Sequence, residues 1–410
     1  MRLFLPIFCL PIFLYAYTLE ELVELSHKNR VVESASHQLK AKERAYESVK
    51  SSYLPGIEIG AAYQNAYEES PSFARNSLKY QGSLKYTLYD GGKEENLYSQ
   101  YRSNVDYGKM SLEAIKKELS LEISKLYFAY HGFEADKRAL VQEIEQLKAE
   151  LKRLRLFYEA GSVTHDEIDK IDSRVKNATV KLHELELENQ KILHSFEFYT
   201  LHKVDLVQEG AKIKFVYEDE PVLRSDVSAL EKNAISTLYE AQSKKSQNLP
   251  QVTFSDVLSY SDYYFENKSF QSNFLVDTQN IAILNVSWNL FDFDTVSKSY
   301  ESKFEEYLSK KSTFEHEKQK ADVEFRLAKK SFEISKLKIA ASKAAFDAAS
   351  ATYDLVKIRY ENQTIDNVAY LLALSEKYNA QRDYERALLD VELKKAELIY
   401  YGGKDIKEFL

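Results

Sequence analysis

The chain has 410 residues, 29% charged and 44% hydrophobic, with only 11 Gly and 6 Pro, so long uninterrupted helices are expected. A net charge of −8 argues against a general nucleic-acid binder, which would carry a basic footprint. Lys and Glu alternate along the chain in the manner of solvated helix faces.

Arg2, the apolar stretch Leu3 to Tyr15 and the small residue Ala16 make residues 1–16 a secretory signal peptide, the alternative being an uncleaved anchor. The stretch is short for a membrane span, which takes about 20 apolar residues. Cys9, the single cysteine, falls inside it, so the mature chain has no disulfide framework and no thiol chemistry. No comparable apolar run follows residue 16, and any membrane crossing must therefore use strands.

Residues 17–203 form a first repeat. Thr18-Leu19-Glu20-Glu21 has the form of a capping box, opening a helix that runs toward Tyr53 with a break near Asn29. Pro55 ends the helix, and a strand pair follows over 56–89. Ile57, Ile59, Ala61 and Tyr63 share one face of its first strand, and Leu78, Tyr80, Leu84, Tyr86 and Leu88 one face of its second. Lys79 and Lys85 point the other way, as a watery lumen requires. A long helix over 92–158, roughly 100 Å at about 1.5 Å per residue, carries the seam Leu140, Ile144, Leu147, Leu151, Leu154 and Tyr158. The return helix, 165–202, carries Ile168, Ile171, Val175, Ala178, Leu182, Leu185, Asn189 and Ile192, so the two pair as an antiparallel coiled coil. Gly161 supplies the turn.

Residues 204–224 read as a small mixed segment with a short strand at Lys212–Tyr217. Residues 225–401 repeat the plan: a helix, Pro250, a strand pair over 251–291, a long helix over 294–359 and a return helix over 367–401, with a tail at 402–410. In the strand pair Val252, Phe254, Leu258, Tyr260 and Tyr264 share a face with Asp256 and Asp262, an unusual pair for an apolar side. The partner strand shows Ala282, Leu284, Val286, Trp288 and Leu290. Tyr86 and Trp288 stand near strand ends, where an aromatic girdle would lie. The seam expected on the second long helix is Leu337, Ala341, Ala344, Ala348, Ala351, Leu355 and Ile358. The spacing from Leu88 to Tyr158 equals that from Leu290 to Tyr360, so one helix length is written twice.

No catalytic constellation or metal-ligand spacing is present, and no cofactor is called for; the chain is not read as an enzyme. Asp90-Gly91-Gly92 is not a phosphate loop, since no GxxxxGK[ST] follows, and its glycines serve the swivel from strand to helix. Among eight His residues only His165, beside the first tip, merits attention as a protonation switch. Asp166 and Glu167 read either as an aperture ring favouring cations or as acids at a helix N-terminus.

One chain offers four membrane-length strands, too few to close a barrel, and open edges in lipid are costly. Copies must pool them: two give eight strands and three give twelve, the latter leaving a pore. A non-conducting, structural coiled-coil envelope protein would explain the heptads but not the matched strand pairs.

The pattern resembles the outer membrane efflux protein family, the TolC-like channels, over essentially the whole mature chain. The carriers are Leu54-Pro55 and Leu249-Pro250 before the strands, Leu88-Tyr89-Asp90-Gly91-Gly92 and Leu290-Phe291-Asp292 after them, and Phe157-Tyr158-Glu159-Ala160-Gly161 at the first helical turn. The resemblance implies a mainly α fold with membrane β: long antiparallel coiled-coil hairpins forming a trimeric α-barrel, plus four strands per protomer in a 12-stranded transmembrane β-barrel. It implies a homotrimer in the bacterial outer membrane, in contact with lipid and with a large periplasmic part. Its partners would be a periplasmic adaptor (membrane fusion) protein and an inner-membrane pump of RND, ABC or MFS type. The function implied is the exit channel of a tripartite efflux or type I secretion system.

By the same resemblance the helical turns hold the aperture and the adaptor-docking sites. Gate residues would be Asp166, Glu167 and Asp366; docking residues Tyr158, Ala160, Gly161, Ser162 and Val163 in the first turn and Tyr360, Asn362, Gln363, Thr364 and Ile365 in the second. Strand–helix junctions would be Pro55, Asp90, Gly91, Gly92, Pro250 and Asp292. The second turn departs from the family: Gln363 stands for the glycine, Ile365 where an arginine can occur, and Ala369 for the acid.

Overall fold

The structure, a computed structural model, describes residues 16–214, 220–270 and 275–410. Cys9 and the signal segment through Tyr15 lie outside the described residues. The chain divides into two compact units, each drawing on both repeats.

One unit, Ala35–Ser111 with Asp226–Glu317, is built on a four-stranded antiparallel sheet in the order β2-β3-β5-β6. Its strands are β2 (Gly56–Asn65), β3 (Asn76–Tyr89), β5 (Gln251–Tyr264) and β6 (Thr278–Ser287). The register puts Ile57 opposite Leu84, Tyr63 opposite Leu78, Tyr80 opposite Tyr260, Tyr86 opposite Phe254 and Phe254 opposite Leu284. Because strand residues alternate, these side chains share one face, while Lys79 and Lys85 pair with Ser261 and Ser255 on the other. Asp256 and Asp262 do sit on the apolar face, opposite Leu84 and Leu78. β6 is shorter than expected: pairing stops at Ser287, because the alternation through Trp288 and Leu290 has no partner beyond Gln251, where Pro250 removes the next donor. Trp288 instead donates its indole N–H to the Asn248 carbonyl at 3.1 Å.

Each strand pair passes into a long helix at an aspartate. Asp90 accepts from the Glu94 amide at 2.8 Å and starts α3 (Lys93–Glu159); Asp292 accepts from the Val296 amide at 2.9 Å and starts α6 (Thr295–Glu361). The two residues after each aspartate are left-handed. They are Gly91 and Gly92 at φ 74° and 79° in the first junction, and Phe293 and Asp294 at 54° and 63° in the second. A Cβ on Gly91 would stand 2.5 Å from the Ser246 carbonyl oxygen, whereas one on Gly92 would meet nothing. Helix α2 (Arg30–Ser52) enters the sheet through Pro55, and α5 (Ser225–Lys245) through Pro250.

The other unit gathers the described part of Met1–Ser34 with Leu112–Ser225 and Lys318–Leu410. Its framework is two helical hairpins, α3 with α4 (His165–Thr200) and α6 with α7 (Asn367–Tyr401). The expected seam of the first hairpin packs as far as Leu154: Leu140, Leu147, Leu154 and Ile171 are almost fully buried, while Tyr158, its last expected member, is exposed. The capping box at Thr18 is complete, opening α1 (Leu19–Ser26). Asn29 then breaks the helix, its side-chain amide donating to the Phe198 and Tyr199 carbonyls.

The seam of α6 is a correction. Leu337, Leu355 and Ile358 are 73%, 52% and 56% exposed, and Ala341, Ala344, Ala348 and Ala351 are exposed with them. The buried stripe runs two residues out of phase, through Phe325, Ala328, Phe332, Ser335, Tyr353 and Tyr360. Both stripes alternate three and four; the bulkier aromatic one releases more free energy on burial within the chain and takes the interior.

The mixed segment also differs from expectation. Its strand is β4 (Leu206–Val207), paired in parallel with β1 (Ala16–Tyr17). Lys212–Lys214 is not a strand, because the Lys214 amide bonds the Phe409 carbonyl and Ile213 the Glu392 carboxylate rather than a ladder; the rest of that stretch lies outside the described residues. The segment is pinned to α3 by Tyr127, whose hydroxyl donates to Gln208 O at 2.5 Å, and by His131, whose ring N–H donates to the same oxygen at 3.2 Å. Ile406 of the tail is fully buried in this core.

Two expected outcomes follow from these contacts. Gly92→Ala should cost about 1–2 kcal/mol for its backbone conformation alone, and Gly91→Ala measurably more because its methyl meets Ser246; denaturant unfolding of the two variants side by side checks the order. Burial holds the imidazoles of His131 and His27 below their ordinary range. Below about pH 6.5 the unfolded chain takes up protons that the folded one refuses, so stability should fall as pH drops from there. Thermal midpoints across that range should slope less in His131→Gln than in the parent.

Candidate functional site

The hairpin tips are two copies of one turn. In the first, the Gly161 amide bonds Tyr158 O at 2.9 Å and the Ser162 amide bonds Phe157 O at 2.8 Å. In the second, the Gln363 amide bonds Tyr360 O at 2.9 Å and the Thr364 amide bonds Arg359 O at 2.9 Å. This paired pattern closes a helix through a left-handed residue. Gly161 has φ 72° and Gln363 has φ 60°. The second turn thus keeps the fold of the first without its glycine, at the expense of a crowded Cβ.

Between the tips lies a cleft of about 450 Å³. It brings together Ser162, Val163, Asp166 and Glu167 from the first hairpin and Tyr360, Gln363, Ile365 and Asp366 from the second. Tyr158, Ala160, Gly161, Asn362 and Thr364 do not line it; they are exposed on the turns. His165 bonds Asp169 at 2.9 Å beneath the Tyr158 ring, away from the cleft lining.

Charge in the cleft centres on Lys170. Its ammonium lies 2.6 Å from Asp166, and that hydrogen bond first, with the charges of Asp166, Glu167 and Asp366, holds its pKa above the ordinary lysine range. Asp366 is also the N-cap of α7, accepting from the Ala369 amide at 2.9 Å. Thr164, its counterpart before α4, makes no side-chain cap bond.

Just behind the cleft the hairpins are tied by residues the heptad pattern passed over. The Tyr360 hydroxyl donates to Glu150 Oε1 at 2.8 Å, and Arg153 lies 3.0 Å from the same carboxylate and 4.7 Å from the Tyr360 ring centre. Tyr360 stacks on Tyr370 at 4.6 Å, and burial, with Glu150 beside it, pushes the Tyr360 hydroxyl well above its ordinary pKa. Tyr360 is only 8% exposed, so its side chain joins the hairpins to each other and is not displayed for docking. The signal in the sequence is the seven-residue step from Tyr353 to Tyr360; Glu150 and Arg153 carry none, since charged residues on a long helix read as solvated. Asn367 is buried at the cleft wall with both side-chain polar atoms unpartnered.

Among the described residues no group of three or more His, Cys, Asp or Glu could hold a metal ion, and no helix is long and apolar enough to cross a membrane. The sequence pattern of one family matches residues 22–195 and again 217–403, once over each repeat. The chain belongs to the outer membrane efflux protein family.

Solved structures agree on the fold. The Campylobacter jejuni CmeC outer membrane channel superposes with a TM-score of 0.81 at 16% identity, covering 94% of this chain and 85% of that one. The Vibrio cholerae outer membrane protein VceC gives 0.83 at 15% identity, with 95% and 96% covered. The open state of the Neisseria gonorrhoeae MtrE outer membrane channel gives 0.76 at 13%, with 95% and 89% covered. No curated protein sequence matches the chain. As an outer membrane efflux protein it lies in the outer membrane with a large periplasmic part, and its four strands are a share of a transmembrane barrel.

Gln363→Gly should remove the strain of the second tip and stabilise the protein by about 1 kcal/mol; the midpoint of denaturant unfolding measures it, and limited proteolysis at the tip should slow in parallel.

Proposed function

We propose that this protein is the homotrimeric exit channel of a tripartite efflux or type I secretion system, conducting substrate passively and gated at the hairpin tips. The observation that carries the reading is the open sheet: β2 and β6 are its edges, and both are exposed along nearly their whole length. In lipid such edges need partners, and a second and third copy supply them with the same strands. The exposed stripe Leu337-Ala341-Ala344-Ala348-Ala351-Leu355-Ile358 supports the same assembly, since small residues at heptad spacing admit a neighbouring helix closely.

In this reading the resting tips converge, with Asp166, Glu167 and Asp366 around the aperture. The Tyr360–Glu150–Arg153 contact holds the second hairpin against the first. A periplasmic adaptor docks on the turns, at Tyr158, Ala160, Gly161, Ser162 and Val163 and at Asn362, Gln363, Thr364 and Ile365, and releases that contact. The conformation shared by Gly161 and Gln363 gives the adaptor the same surface twice per protomer. The energy comes from an inner-membrane pump of RND, ABC or MFS type.

Single-channel recording in planar bilayers tests the gate. Glu167→Ala with Asp366→Asn, which keeps the cap of α7 while removing its charge, should raise conductance and weaken cation preference; unchanged currents remove both residues from the aperture. Tyr360→Phe should lengthen open dwell times, since it leaves Glu150 without that donor. Assembly is tested separately. Single cysteines at Ala344 and Ala348, in a mature chain otherwise free of cysteine, should give disulfide-linked oligomers on oxidation of membranes. Cross-linking no greater than from a cysteine at Glu333, off the stripe, would argue against a neighbouring copy there.

A further inference from the structure

The four strands of the sheet carry five charged side chains, spread unevenly over its two faces. Asp256 and Asp262 stand on the apolar face. Lys79 and Lys85 stand on the polar one, together with Glu58, which lies opposite Ser83. In a chain of net charge −8 the polar face of the sheet is thus net basic, with two lysines to one acid.

The residues beside the two lysines are small. Lys79 lies between Ala62 and Ser261, and Lys85 between Gly56 and Ser255. Both lysines are exposed, and among the described residues neither forms an ion pair with Glu58 or with any other acid. Their ammonium groups project past short neighbours instead of folding onto a carboxylate. The serine hydroxyls next to them are further hydrogen-bond donors, which an anion needs and a cation does not.

In a transmembrane barrel the apolar face meets lipid and the polar face lines the water-filled interior. Lys79 and Lys85 are six residues apart on β3, about 20 Å along the strand and about 15 Å along the barrel axis at the usual tilt. Neighbouring copies repeat each lysine around the bore at the same two levels. Their separation exceeds the Debye length of about 8 Å at physiological salt, so the levels act as successive stations. Rings of lysine favour anions, and several weak stations let an ion leave where one tight site would hold it.

We propose that the barrel interior is an anion filter: Lys79 and Lys85 favour the passage of carboxylate- or phosphate-bearing solutes over cations of the same size. The proposal rests on the channel reading and concerns the strands alone. The acids of the hairpin tips are a separate set of charges of opposite sign, and total conductance would report both.

Local potential is therefore read by thiol chemistry, in a mature chain otherwise free of cysteine. Gln81 is exposed on the same face, two residues from Lys79. In the assembled protein in outer membranes, Gln81→Cys is modified with anionic sulfonatoethyl or cationic trimethylammonioethyl methanethiosulfonate. The anionic-to-cationic rate ratio should be several-fold higher than in Gln81→Cys/Lys79→Gln/Lys85→Gln. Lys79→Arg/Lys85→Arg should preserve it, and the difference should fade as salt rises from about 10 mM to about 1 M. Equal ratios with and without the lysines overturn the proposal while the channel reading stands. A thiol that neither reagent reaches marks a face without water, and overturns both. Should the triple variant not assemble, Gln81→Cys/Lys79→Gln is judged on the same criterion.

Discussion

The unpaired edge of a small sheet governs this molecule. Each backbone amide or carbonyl left bare in hydrocarbon costs several kcal/mol, and a sheet with β2 and β6 at its margins has two rows of them. Within the chain the four strands are already paired with one another, and β2 and β6 keep one open side each. In the proposed reading the remedy is a further copy of the chain, and the other features support it. The apolar face suits lipid, and Lys79 and Lys85 turn away from it. The alanine stripe of α6 is left open although it has the spacing of a helix contact.

Duplication solves the geometry twice with different chemistry. The aspartate caps at the junctions are kept in both halves, because each starts a 67-residue helix whose first amides need an acceptor. The glycines are not kept. Phe293, Asp294 and Gln363 occupy left-handed backbone that Gly91, Gly92 and Gly161 occupy in the first half. Conformation, not residue identity, is what the two halves share.

Much of this is legible in the amino-acid sequence. Alternation of period two located the strands, and the capping box at Thr18 and the break at Asn29 marked the first helices. The α3 seam was readable because its Leu and Ile positions are the only apolar stripe that helix offers near the tip. On α6 the same reasoning chose the wrong stripe. That helix has two apolar stripes, and pattern alone does not say which faces inward; the volume of Phe332, Tyr353 and Tyr360 decides it. The end of β6 was misplaced because alternation continues past the last residue that has a partner. In the cleft, the acids near the turns were visible from their positions. Glu150, Arg153 and Asn367 were not, since their roles depend on which helix packs against them.

The two long helices have identical lengths, Lys93–Glu159 and Thr295–Glu361, and the Tyr360–Glu150 bond joins them close to their far ends. A four-residue insertion in either one alone would advance its tip by about 6 Å and about one turn, parting that bond and misaligning the paired turns. Length in this protein therefore acts as a single quantity: reaching across a wider or narrower envelope would call for lengthening or trimming both halves together, by whole turns.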